Sequence, residues 1–126
     1  MKVAVISIVD DDDSVREATK FIVNSLGYTT ATFASAEEFL RSDCVHDTLC
    51  LITDVQMPGL NGLELQRRLV EDGHRIPVIF ITAFPEEGIR TRALAAGACG
   101  FLEKPYDDQS LIGCLEAALK GAGQYR

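Results

Sequence analysis

Tryptophan is absent from this chain, and proline is scarce, at four residues in 126. Four prolines and ten glycines exclude a collagen-like, proline-rich or low-complexity chain, and no internal repeat is present. Long apolar runs are also missing. The longest apolar start, Val3–Val9, follows Lys2 and runs straight into four aspartates, Asp10 to Asp13. A signal peptide needs a longer apolar segment and a small-residue cleavage site, and a spanning helix needs about 20 apolar residues. Neither export nor membrane insertion is therefore expected, and a cytoplasmic location is. Positive charge is in short supply, with 12 Lys and Arg against 19 Asp and Glu and a net charge of −7. That balance argues against direct nucleic-acid binding, which needs a concentrated Lys/Arg face. Cys44, Cys50, Cys99 and Cys114 show no C-x-x-C spacing, so they are expected to be reduced, small apolar residues rather than zinc ligands or disulfide partners. His46 and His74 sit in polar, loop-like sequence and are expected on the solvated surface.

What is present is a globular composition. An apolar content of 47% excludes disorder despite the net charge. The length suits one domain over 1–126, with a core from about 3 to 120, burying about 65–70% of its unfolded surface. Residues 121–126 are expected to be a frayed tail or the start of a linker.

The apolar pattern switches between short continuous runs and helical spacing. Val3–Val9, Tyr28–Phe33, Thr48–Thr53, Ile76–Ile81 and Cys99–Leu102 have the make-up of strands, the first and third buried on both faces. Between them lie helical segments. Ser14 is a candidate cap for a helix with Val15, Ala18, Ile22 and Leu26 on one stripe, stopped by Gly27. Ser35 and Glu38 predict a capping box opening a helix to about Arg41. Helices are predicted over Gly62–Glu71 and Glu86–Ala96, stopped by Gly73 and Gly97. The last helix carries Leu111, Ile112, Leu115, Ala118 and Leu119 on one stripe. Five strands alternating with five helices predict an α/β fold: a doubly wound parallel sheet with helices on both faces.

In such a sheet the working site lies beyond the carboxyl ends of the strands, at the switch in strand order. Those ends carry Asp10 and Asp11, Asp54, Thr82 and Ala83, and Glu103, Lys104 and Pro105. Asp12 and Asp13 are more simply a helix cap and a solvated face. Two carboxylates about 5 Å apart repel by roughly 3 kcal/mol at an effective dielectric near 20. Asp10, Asp11 and Asp54 together therefore call for a divalent ion, and oxygen donors with room for water and a phosphoryl oxygen favour Mg²⁺ over zinc. Lys104 and Thr82 supply a charge and a donor for further anionic oxygens. With Asp54 as nucleophile, this is equipment for phosphoryl transfer.

Asp10-Asp11 after a buried strand, Asp54 within Thr-Asp-Val-Gln-Met-Pro-Gly, Thr82-Ala83 and Lys104-Pro105 together resemble the receiver domain of bacterial two-component response regulators, over about Val3 to Lys120. Ile-Val-Asp-Asp, Ser-Ala-Glu-Glu-Phe-Leu and Gly-Phe-Leu-Glu-Lys-Pro-Tyr are most similar to the FixJ-type subfamily. The resemblance implies a flavodoxin-like (βα)5 fold with strand order 2-1-3-4-5. It implies that Asp54 accepts a phosphoryl group from the phosphohistidine of a sensor histidine kinase. Mg²⁺ would be held by Asp11, Asp54, Asp10 through water, and the Gln56 backbone carbonyl. Lys104 would pair with Asp54 or the phosphoryl group, before a cis Lys104–Pro105 bond, and Thr82 and Phe101 would form a switch pair. Gln56 and Phe84 would set the lifetime of the phosphorylated state. The regulated surface would be the fourth helix and fifth strand, including Ile89, Arg92 and Phe101, serving a phosphorylation-dependent homodimer. Beyond self-phosphorylation and autodephosphorylation no conventional enzyme activity is implied.

Two features depart from the family pattern. Four consecutive aspartates exceed the usual acidic pair, so Asp12 competes as a ligand candidate, and Phe84 is bulkier than many residues at its position. Other readings fit less well. A haloacid dehalogenase-type phosphatase needs an Asp where Gln56 stands, a flavodoxin-like cofactor binder needs a phosphate loop where the aspartates stand, and a calcium loop needs alternating D-x-D-x-D-G spacing. The remaining alternative is a pseudo-receiver that binds a partner without phosphorylation.

Overall fold

The computed structural model of the chain describes residues 4–123. The elements are β1 (Val5–Val9), α1 (Asp13–Ser25), β2 (Thr30–Phe33), α2 (Ala36–Arg41), a 3-10 turn (Asp43–Asp47), β3 (Thr48–Asp54), α3 (Gly62–Glu71), β4 (Val78–Thr82), α4 (Glu87–Ala95), β5 (Gly100–Glu103) and α5 (Asp108–Gly123). The strands form one parallel sheet in the order β2-β1-β3-β4-β5. The predicted doubly wound architecture is therefore present, and its switch in strand order falls between β1 and β3.

Alternation along the central strands explains why a continuous apolar run is needed. Val9, Leu51, Val78 and Phe80 point to one face, where they pack with Phe39, Leu65, Leu69 and Ala93 of α2, α3 and α4. Ile6, Ile8, Cys50, Ile52, Ile79 and Ile81 point to the other, against Val23 of α1 and Leu111, Leu115 and Ala118 of α5. Fully burying one such aliphatic side chain contributes about 1.5–3 kcal/mol, so two apolar layers carry the fold.

Several boundaries differ from those the sequence predicts. Asp12, not Ser14, caps α1: its carboxylate accepts the Ser14 and Val15 N–H groups at 2.9 and 3.3 Å. The buried positions of α1 are Thr19 and Val23, whereas Ala18 and Leu26 are exposed, because the helix is rotated to present Thr19 inward. β2 starts at Thr30 rather than Tyr28, since pairing with β1 begins at Ile6–Thr30. β4 starts at Val78 rather than Ile76: Pro77 has no N–H, and its carbonyl instead accepts the Leu51 N–H at 2.9 Å. β3 extends to Asp54, which pairs with Ile81, and β5 runs Gly100–Glu103 rather than Cys99–Leu102. Ser35 accepts the Glu38 N–H at 3.1 Å as expected, but the reciprocal box belongs to Asn61 and Glu64 at the start of α3. The 3-10 turn, which buries Val45, has no sequence prediction.

All four cysteines are free; Cys50 is buried, with its thiol pKa pushed up by that burial, and Cys99 is exposed. His46 is exposed as expected and His74 is half-buried; their rings meet edge-on with centroids 5.2 Å apart. The expected tail is helical as far as Gly123; residues 124–126 and Val3 lie outside the described residues. No helix among the described residues is long and apolar enough to cross a membrane.

Gly62, the first residue of α3, is where backbone meets backbone. A Cβ there would stand 2.4 Å from the Asp54 carbonyl oxygen, 3.0 Å from Val55 Cα and 3.1 Å from the Phe80 ring. The Gly62 N–H donates to the Val55 carbonyl at 2.8 Å, locking α3 against the end of β3. Gly62→Ala is expected to destabilise the fold by about 2–3 kcal/mol through overpacking. Gly113→Ala on α5, where nothing lies within 4 Å, is expected to stabilise it by about 0.5–1 kcal/mol. Urea unfolding midpoints of the two variants, moving in opposite directions, check both.

Candidate functional site

Strand order brings the carboxyl ends of β1 and β3 side by side. Asp10 follows β1 and is fully buried, Asp54 ends β3 at 6% exposure, and Asp11 is exposed. Carboxylate oxygens of these three lie within 4.8 Å of one another, the one such acidic or metal-ligating group among the described residues. Thr82 ends β4 and is buried. Lys104 follows β5, two strands away from β3, and its long stem brings Nζ back to the cluster.

The hydrogen bonds fix each side chain. Asp10 Oδ1 accepts the Asp12 N–H at 2.9 Å, and Asp54 Oδ1 accepts the Gln56 N–H at 3.1 Å. Lys104 Nζ donates to Asp54 Oδ2 at 3.0 Å. It also stands 3.0 Å from Asp10 Oδ2 as an ion pair, and that buried oxygen has no other partner. The Lys104 N–H donates to the Thr82 carbonyl at 2.7 Å, and Thr82 Oγ1 accepts the Phe84 N–H at 3.1 Å.

Electrostatics follow from burial. Loss of water raises the Asp10 carboxyl above its ordinary pKa, helped by the neighbouring Asp54 charge; the Asp12 N–H and Lys104 oppose this without cancelling it. Burial also opposes the charge on Lys104, but its hydrogen bond to Asp54 and its attraction to both carboxylates outweigh that and raise its pKa. Lys104 is thus a held cation between two buried carboxylates.

A divalent metal fits this donor set. The ligands are hard carboxylate oxygens, one of them buried without a donor, and no nitrogen or sulfur ligand joins them. Asp12 and Asp13 stand apart from the cluster: Asp12 caps α1, and Asp13 pairs with Arg16. Gln56 is exposed, and Phe84 is 66% exposed. Phe101 is half-buried, its ring centroid 6.5 Å from that of Phe80. The Lys104–Pro105 bond is cis.

A sequence model of the family described as response regulator receiver domain matches residues 6–116. This chain belongs to that family. The receiver domain is 43% identical over 129 residues to the response regulator protein TodT of Pseudomonas putida, an alignment covering 99% of this chain and 55% of TodT. It is 39% identical to the transcriptional regulatory protein FixJ of Azorhizobium caulinodans, covering 90% of this chain and 54% of FixJ. The chain thus spans about half the length of the curated relatives it matches. Among solved structures, that of FixJ-N is similar with a TM-score of 0.83 and 35% identity, covering 95% of this chain and 96% of that one.

Two groups around the receiver site escape the sequence reading. Arg16 Nη1 donates to the Asp10 carbonyl at 2.7 Å while its other amino group pairs with Asp13, a spacing of three that is visible in the sequence. Tyr106 and Thr19, 87 positions apart, share a hydrogen bond that no local signal indicates.

Asp10 gives a pH prediction. Its folded pKa lies above its unfolded value, so the folded state holds more protons between the two, and stability falls as pH rises from the unfolded value to the folded one. Without divalent cations, Asp10→Asn is expected to raise Tm by a few degrees at pH 7, and the gain should vanish below about pH 3.8. Thermal melts across that range, in chelator, check it.

Proposed function

We propose that Asp54 is the phosphoacceptor of this receiver domain, taking its phosphoryl group from the phosphohistidine of a sensor histidine kinase. The observation that carries the reading is the lysine-bridged cluster, in which Lys104 Nζ lies 3.0 Å from both Asp54 and the donor-free oxygen of Asp10. A carboxylate oxygen of Asp54 attacks phosphorus, the phosphorus–nitrogen bond to the donor imidazole breaks, and an acyl phosphate remains on Asp54. Asp10, Asp11, Asp54 and the Gln56 backbone carbonyl would hold Mg²⁺. When bound, the ion neutralises charge on the transferring phosphoryl oxygens. Lys104 exchanges its bond to Asp54 for one to a phosphoryl oxygen, and the buried Thr82 hydroxyl donates to another. Gln56 and Phe84, both exposed beside the site, govern the approach of hydrolytic water.

The output reading rests on α4. That helix buries only Ala93, and its N-cap Glu86 makes no side-chain cap bond, so little holds it in one place. Inward movement of Thr82 makes room for the Phe101 ring, and α4 with β5 (Ile89, Arg92, Phe101) becomes the regulated contact surface of a homodimer. On this reading 1–126 is one receiver domain, it acts in the cytoplasm, and it does not itself bind nucleic acid.

Intact-mass measurement with acetyl phosphate and Mg²⁺ is expected to show one added phosphoryl group, absent in Asp54→Asn. Label persisting in that variant at comparable yield moves the acceptor elsewhere. Mg²⁺ at ten times its Kd is expected to add about 1.4 kcal/mol of stability. Asp11→Asn should lose most of that stabilisation, as read by thermal melts with and without the ion.

A further inference from the structure

The Tyr106 hydroxyl lies in the loop that carries Lys104, two residues beyond it, yet reaches across to α1. There it hydrogen-bonds the Thr19 hydroxyl, which is itself fully buried and bonded to the Val15 carbonyl at 2.8 Å. Proton counting fixes the direction. A carbonyl can only accept, so the single Thr19 proton goes to Val15, and Tyr106 must donate to Thr19 Oγ1. The result is a directed chain, Tyr106 to Thr19 to Val15, anchoring the loop after β5 to the second turn of α1.

That anchor lies beside the site. Through Val15 it ends in the first turn of α1, which is capped by Asp12, whose N–H holds Asp10, and which carries Arg16, which holds the Asp10 carbonyl. On the other side, the Lys104 N–H is tied to the Thr82 carbonyl at 2.7 Å. The Lys104 main chain is thus fixed from both directions, by β4 at its own N–H and by α1 through Tyr106. A lysine stem has four rotatable bonds, so placing its ammonium within hydrogen-bond reach of both carboxylates depends on where its main chain is held.

We infer that the Tyr106–Thr19 hydrogen bond positions Lys104 for phosphoryl transfer, making Tyr106 a positioning residue rather than a catalytic one. The inference rests on the phosphoacceptor reading of Asp54 for its kinetic consequence, but not for its structural one. Tyr106→Phe is a clean probe: the ring keeps its packing, and Thr19 keeps its bond to Val15, so no buried donor is stranded.

The test is phosphorylation by acetyl phosphate at saturating Mg²⁺, together with the order parameter of the Lys104 ε-methylene measured by ¹³C relaxation on the unphosphorylated protein. Tyr106→Phe is expected to lower the maximal phosphorylation rate by about tenfold, leave the Kd for Mg²⁺ unchanged and reduce the Lys104 order parameter. Thr19→Val should do the same from the other side, whereas Thr19→Ser, which retains the hydroxyl, should keep the wild-type rate. In a Lys104→Ala background Tyr106→Phe should have no further effect, because the group it positions is gone. Wild-type rate and order in Tyr106→Phe, or the same rate loss without Lys104, overturns the inference. If wild type takes up no phosphoryl group, the phosphoacceptor reading fails, and the order parameter alone decides the positioning.

Discussion

One ammonium group set between two buried carboxylates organises this receiver domain. Carboxylate charges within 4.8 Å of one another repel by about 3.5 kcal/mol or more at an effective dielectric near 20, so Asp10 and Asp54 at one sheet end call for a counter-charge. Lys104 is that counter-charge. Its reach across the end of β4 ties together the loops after β1, β3 and β5, which the parallel sheet sets at one edge. Its attraction to each carboxylate is set against the cost of taking these charges out of water. Asp10 still keeps one oxygen without a hydrogen-bond donor.

The rest of the fold holds that edge rigid. Both faces of the sheet are apolar, so the strand ends cannot shift without disturbing two packed layers. The turn after β3 is closed onto α3 at Gly62, where the helix backbone rests on the Asp54 carbonyl. Glu37 of α2 accepts the Leu60 N–H at 2.9 Å and braces the same turn from the side, a bond that draws its carboxyl pKa down. Each element contacting the site thus has a specific backbone tie.

Rigidity is unequally shared, and the inequality has a functional sense. α1, α2 and α3 begin with side-chain caps, and α1 and α3 bury two or more residues each, whereas α4 has no cap bond and buries Ala93 alone. This last helix is held to the core by Ala93, with the half-buried Ile89. It adjoins β5 and the half-buried Phe101, next to the Thr82 end of β4. The acidic edge therefore has the least anchored of these helices as its neighbour.

The sequence alone determined the alternation of strands and helices, the parallel sheet, and the meeting of Asp10, Asp11, Asp54 and Lys104 at one edge, with Thr82 at the end of the neighbouring β4. Those follow from local patterning and from the rule that strand ends meet at one edge. It also determined the stops at Gly27, Gly73 and Gly97, each at positive φ directly after a helix. Tertiary structure alone decided the rest. Strand limits depended on register, as at Pro77, whose carbonyl and missing N–H set where β4 begins. The rotation of α1 was not legible because one of the two residues it buries is Thr19, a polar residue that no apolar pattern marks. The edge contact of His46 with His74, the brace from Glu37 and the tie from Tyr106 to α1 join residues far apart in the chain. Side-chain periodicity carries information only over a few turns, so contacts of that range become visible when the chain closes on itself.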